Sequence, residues 1–209
     1  VTMTDGLKAY FLTIDSGSLT VTGDPQAITL RNQDIGYLEM GDGARLFTGS
    51  SAQDATEAAV PQLSGKTYVR ITNAWDVTYQ PGENGDGNAV TDIKFYNDAL
   101  TLRGALFTRT GHTQVGWATV DGGEKVYAFG GGYTTNAALT LYPVWNTNKY
   151  TITFDSNGGS EIAPITQDYG TAITAPADPT REGYTFIGWD TEIPTTMPAE
   201  NITLKARWK

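Results

Sequence analysis

One ten-residue phrase occurs twice in this chain. Thr108, Arg109, Gly111, Thr113, Gly116 and Trp117 return 72 residues later as Thr180, Arg181, Gly183, Thr185, Gly188 and Trp189, so six of ten positions are identical. Val115 against Ile187 is a near-match. Two glycines and a tryptophan in register indicate a duplication, and a fixed internal period indicates an array of similar small modules. A module this small buries a limited part of its surface and needs large apolar anchors. The five Trp, eleven Tyr and seven Phe can supply them. Arrays of small modules usually space, present or bind; they seldom catalyse.

The length of 209 residues suits two or three such modules. Cysteine is absent, which excludes disulfide and thiolate chemistry only. The 14 Lys and Arg stand against 23 Asp and Glu, a net charge of −9. By segment the balance is −3 over 1–75, −2 over 76–149 and −4 over 150–209. Charge spread this evenly serves solubility and argues against nucleic acid, whose phosphates call for clustered Lys and Arg. No stretch approaches the roughly 20 apolar residues of a membrane span. The chain starts at Val1 without an initiator Met and stops one residue after a strand-like segment, so we expect a piece of a longer polypeptide.

The second copy reads cleanly as strands. Tyr150, Ile152 and Phe154 alternate with threonines, and residues 155–159 form a turn of Asp, Asn and Gly. A weaker strand is expected over 169–173, then Pro176, Pro179 and Gly183 before Tyr184 and Phe186. Ile202, Leu204, Ala206 and Trp208 share one face of a closing strand whose other face is polar. In the first copy Val77 to Tyr79 matches the opening strand and Leu139 to Trp145 the closing one. The stretch from Gly-Trp to the last Trp is nine residues longer there, which suggests an added hairpin. Residues 1–75 read as β-rich with one helix candidate at 51–60. They are either a degenerate third module or the tail of an unrelated β-domain. The expected class is β-rich α+β, divided as 1–75, a first module at 76–146 and a second at 150–209.

The spaced set Tyr150, Phe154, Asp155, Asn157, Gly158, Gly159, Tyr169, Gly170, Pro176, Pro179, Gly183, Tyr184, Phe186, Gly188, Trp189, Leu204, Ala206 and Trp208 resembles the Listeria–Bacteroides repeat, also called the internalin-type B-repeat. Residues 77–145 resemble it less strictly, because His112 and Gln114 replace Tyr and Phe and the Asp-x-Asn-Gly-Gly turn is missing. The resemblance implies tandem small β-grasp-like modules in secreted or wall-attached bacterial proteins, and it brings no catalytic residue with it.

Candidate chemistry is sparse. His112 is the only histidine and takes the slot of Tyr184, so it reads as a ring position; with no Cys, zinc and copper sites are close to excluded. Acidic glycine-rich turns at 41–43, 83–88 and 121–124 offer oxygen ligands for calcium, but none has EF-hand spacing, and ordinary turns explain them. Gly130 to Gly132 lacks the Lys of a phosphate loop. Neither a carboxylate pair nor a Gly-x-Ser-x-Gly elbow is recognisable. Lys94 and Lys149 are the lysines weighed for a lysine–asparagine isopeptide bond, and nothing in the sequence marks a buried trio around either. Trp117, Trp145, Trp189 and Trp208, with Gly116 and Gly188, repeat by position and therefore read as structural anchors. Tyr127, Phe129 and Tyr133 occur only in the longer segment. They are the candidate ligand contacts if they face outward, whereas Tyr127 and Phe129 on one hairpin face would pack inward.

Sequence reasoning therefore expects a non-catalytic tandem-repeat segment of a bacterial cell-surface or secreted protein. It would act as spacer, display and protein-interaction or adhesion module. The alternative is a carbohydrate-binding accessory module using Tyr127, Phe129 and Tyr133. No cofactor or metal is expected. The expected partner is a protein or glycan at the cell surface, and the segment alone is expected to be monomeric.

Overall fold

A computed structural model describes residues 2–3, 12–14, 18–22, 38–40, 44–49, 55–58 and 68–209 of the chain. Two compact units emerge. One comprises Val1–Tyr79, Ala89–Leu102 and Gly130–Leu141, the other Gln80–Asn88, Arg103–Phe129 and Tyr142–Lys209.

The first unit is organised on one twelve-residue strand, Tyr68–Tyr79. Its early half lies between Ser18–Thr22 and Ala44–Gly49, antiparallel to both. Its later half is antiparallel to Val90–Phe95 and parallel to Leu139–Leu141. Residue 75, where the N-terminal region was expected to end, falls inside this strand. Val77, Tyr79 and Leu141 are fully buried, and Phe47 meets Phe95 edge-on at 4.7 Å.

In the second unit, Lys149–Asp155 lies between Ile165–Asp168 (antiparallel) and Ile202–Trp208 (parallel), and Phe186–Trp189 joins the far side of Ile202–Trp208. Burial along the closing strand alternates as its sequence does: Leu204 and Ala206 are buried, Thr203, Lys205 and Arg207 exposed. The same unit carries His112–Ala118 antiparallel to Tyr142–Thr147. Pairing by pairing, the two copies agree. Leu139 faces Val77 as Ile202 faces Ile152, Gln114 faces Trp145 as Phe186 faces Trp208, and both Gly-Trp strands carry a bulge just before the Trp.

The α+β class and its grasp-like modules are corrected. Among the described residues there is no helix, and the fold is all-β. Of the helix candidate at 51–60, residues 55–58 are described, and Thr56–Glu57 is a strand registered against Phe47 and Thr48. Arg45 Nε donates to the Glu57 carboxylate at 2.8 Å, a cross-strand tie that favours the extended form locally over helix propensity. In the second copy the chain between Ile165–Asp168 and Phe186–Trp189 contains Pro176 and Pro179, which supply no backbone N–H to a helical ladder. Irregular chain covers the sheet instead. Met197 is 1% exposed within the core of Ile152, Phe154 and Leu204, and Ile162, Ile173 and Ile193 pack around it.

The weak strand expected at 169–173 is also displaced. The strand is Ile165–Asp168, and Tyr169–Gly170 is a turn closed by Thr171 N–H on the Asp168 carbonyl at 3.2 Å.

Candidate functional site

Two features of the repeats present surfaces that could be used: the Gly-Trp edges and the joint at Asn148.

The Gly-Trp phrase is a bulge. Gly188 has φ +106°, a conformation side chains rarely adopt, and it lets Trp189 turn back into register with Ala206. In the second repeat Trp189 is half-buried. It lies 5.1 Å from Phe154 and 5.3 Å from Phe186, which in turn reaches Trp208 at 5.5 Å. Trp208 Nε1–H donates to the Ser156 carbonyl at 3.0 Å.

In the first repeat Trp117 is fully buried. Its Nε1–H donates to the Arg103 carbonyl at 2.8 Å, and Phe107 and Phe129 approach it edge-on at 6.0 and 6.1 Å. Gln114 stands where the second repeat has Phe186. Its Oε1 accepts from Leu106 N–H at 3.0 Å and Phe107 N–H at 3.2 Å, so a polar clamp replaces an aromatic contact.

The Asp-x-Asn-Gly-Gly turn of the second repeat is spent on structure. Asp155 Oδ1 accepts from Asn157 N–H at 2.9 Å, and Asn157 Nδ2–H donates to the Ala206 carbonyl at 3.1 Å.

The joint centres on Asn148. Its N–H donates to the Gly111 carbonyl at 2.9 Å, its carbonyl accepts from Tyr169 N–H at 2.9 Å, and its Oδ1 accepts from Thr113 Oγ1 at 2.7 Å. His112 is half-buried, with its ring edge-on to Tyr169 at 5.9 Å. Nδ1 lies 2.8 Å from the Thr110 carbonyl, to which it donates as Nδ1–H. Its counterpart Tyr184 is exposed and lies under the Arg181 guanidinium at 4.0 Å.

The remaining candidates fall as follows. Tyr133 is buried and donates its hydroxyl to the Ala137 carbonyl at 3.0 Å. Tyr127 is half-buried, and Phe129 is exposed at 36% while touching Trp117. Trp145 is half-buried. Asp121 Oδ2 accepts from Glu83 N–H at 2.8 Å, so a carboxylate of one acidic turn is committed to the backbone of another. The turn at 41–43 lies outside the described residues. Among the described residues no three His, Asp or Glu gather as metal ligands, and no helix is long and apolar enough to cross a membrane.

Lys149 pairs with Asp168 at the surface at 2.9 Å. Lys94 is fully buried. Its ammonium donates to the Phe95 carbonyl at 2.7 Å and Asn136 Oδ1 at 3.0 Å and lies 5.9 Å from the Trp75 ring. Burial pushes its pKa down, with Asp98 opposing. Sequence reasoning names Lys94 without its setting, because Val90–Phe95 has no apolar alternation that would mark position 94 as inward.

Two copies with one ladder pattern and one bulge define a tandem all-β repeat protein. The chain belongs to the Listeria-Bacteroides repeat domain family, whose model matches residues 75–144 and 150–207. Internalin H of Listeria monocytogenes is 34% identical over 171 residues, covering 78% of this chain and 30% of that protein. A relative in Evansella cellulosilytica, named as a Gly-rich membrane protein, is 32% identical over 149 residues, 66% of this chain and 17% of its own length. A second from that organism, named as a membrane protein, is 30% identical over 144 residues, 65% of this chain and 21% of its own length. The chain thus spans less than a third of each.

Proposed function

We propose that this chain is a non-catalytic spacer and display segment of a bacterial cell-surface protein, holding neighbouring repeats at a fixed angle so that interaction surfaces point in set directions. The joint at Asn148 supports this most directly. Three hydrogen bonds and the His112–Tyr169 contact converge where two independent modules would need only a slack linker. Internalin H and the repeat family support the surface setting. The partner is a protein or glycan outside the cell.

Backbone 15N relaxation of the intact chain tests the spacer reading. Residues 103–129 and 150–209 should share one rotational correlation time, and Asn148→Pro, which removes both the N–H held by Gly111 and the Oδ1 held by Thr113, should loosen them. Independent tumbling in the unaltered chain would remove the spacer.

A further inference from the structure

The two Gly-Trp edges differ in one respect that bears on binding. In the first repeat the edge is occupied by the chain itself. Trp117 N–H donates to the Tyr127 carbonyl at 2.9 Å, and the Trp117 carbonyl accepts from Val126 N–H at 2.8 Å and Tyr127 N–H at 3.0 Å. Lys125 lies across the neighbouring glycine, so that a methyl on Gly116 would stand 2.4 Å from Lys125 Cδ and 2.8 Å from the Tyr127 carbonyl oxygen. Phe129 closes on the indole.

In the second repeat nothing lies within 4 Å of the matching position on Gly188. Trp189 faces Ala206, while the next residue, Asp190, donates its N–H to the Lys205 carbonyl at 2.8 Å. Alternate residues of an antiparallel ladder turn their N–H and C=O to opposite edges, so those of Trp189 point away from the closing strand. Among the described residues no backbone group meets them.

We propose that this open edge at Gly188 and Trp189 binds an extended basic–aromatic strand from another polypeptide, as Lys125–Phe129 occupies the equivalent edge of the first repeat. The chain's own segment defines the occupant. Its Tyr127 bridges Trp117 through the backbone, its Lys125 lies over the glycine, and its Phe129 meets the indole, so one short segment supplies a backbone contact, a cation and a ring. The site has matching chemistry. An open depression of about 540 Å³ beside Gly188 is lined by Trp189, Phe186, Pro176 and Ile193, with the carboxylates of Asp178 and Glu192 and no Lys or Arg. Trp189 offers the ring that Trp117 offers Phe129, and the acids suit a lysine. This goes beyond the spacer reading and fails separately from it: rigidly joined repeats with an edge that takes up nothing would sink this proposal alone.

The test is a titration of the intact 15N-labelled chain with an N-acetylated, C-amidated peptide of residues 125–131. The expected result is saturable shifts at the Gly188 amide and Trp189 indole by about 1 mM peptide, the weak regime of a single added strand. A peptide with proline in place of Tyr127 removes one backbone donor and should lose the binding. The variant Asp178→Lys/Glu192→Lys, altered only at exposed side chains, should weaken it about fivefold to tenfold. No shift at Gly188 and Trp189, shifts confined to the first repeat, equal binding of the proline peptide, or unchanged affinity in the charge-reversed variant would each overturn the proposal.

Discussion

The ring of Tyr169 in the second repeat lies against the backbone of Gly111 in the first, and a methyl on Gly111 would stand 2.1 Å from Tyr169 Cδ1. Gly111 also holds φ +71°, and its carbonyl anchors Asn148. Close approach and backbone conformation therefore both require glycine at this point of the joint.

Gly111→Ala should destabilise the chain by about 2 kcal/mol, combining a left-handed alanine with the overlap. Tyr169→Ala removes the overlap but not the backbone strain. The double variant should therefore lose less than the sum of the singles, a coupling that urea unfolding of all four proteins would measure. Strict additivity would show that the ring and the glycine do not meet in solution.

Gln114 and Phe186 occupy one position in the two copies with different physics, so exchanging them should hurt both ways. Gln114→Phe leaves the Leu106 and Phe107 N–H groups without their acceptor and should cost about 2–4 kcal/mol. Phe186→Gln takes a ring from between Trp189 and Trp208 and should cost about 3 kcal/mol. Near-neutral urea midpoints for either variant would contradict the assigned contacts.

Much of the second repeat is legible in its residues alone. The closing strand announces its buried face through Ile202, Leu204, Ala206 and Trp208 because strand alternation has a period of two, and Gly188 marks its bulge because few other residues accept that conformation. Helix propensity over 51–60 misleads at Thr56–Glu57 because it carries no knowledge of Arg45 across the ladder. Gln114 looks like a departure from the pattern, since the two N–H groups it serves lie seven and eight residues back and only folding brings them to it. The difference between Gly116 and Gly188 is illegible for the same reason. Both are glycine before tryptophan, and what separates them is where Lys125 comes to rest.

Met197 does what a helix would otherwise do for the second repeat's sheet. It is 1% exposed, and a single turn holds both its backbone groups: its N–H donates to the Thr171 carbonyl at 2.9 Å, and its carbonyl accepts from Gly170 N–H at 2.9 Å. Met197→Ala should cost about 2–5 kcal/mol through the cavity left against Ile152 and Leu204, and Met197→Leu less than about 1.5 kcal/mol. Thermal unfolding monitored by tryptophan fluorescence distinguishes the two. An alanine variant as stable as the leucine one would mean that the loops, rather than this side chain, close the core.

Lys94 links stability to alkaline pH. Burial lowers its folded pKa below the ordinary value of 10.5, while the unfolded chain retains that value. Between the two values the unfolded state binds more protons, so the stability of the folded state rises with pH across that window. Below the folded pKa both states carry the charge, and the cost of burying it is present in full. In Lys94→Met the apolar stem is largely kept and the titrating group is gone. The difference in unfolding free energy between the parent and Lys94→Met, followed from about pH 8 to about pH 10.5, should shift in the parent's favour as pH rises. A difference that stays flat over that range would place the ammonium in water rather than against Asn136 and Phe95.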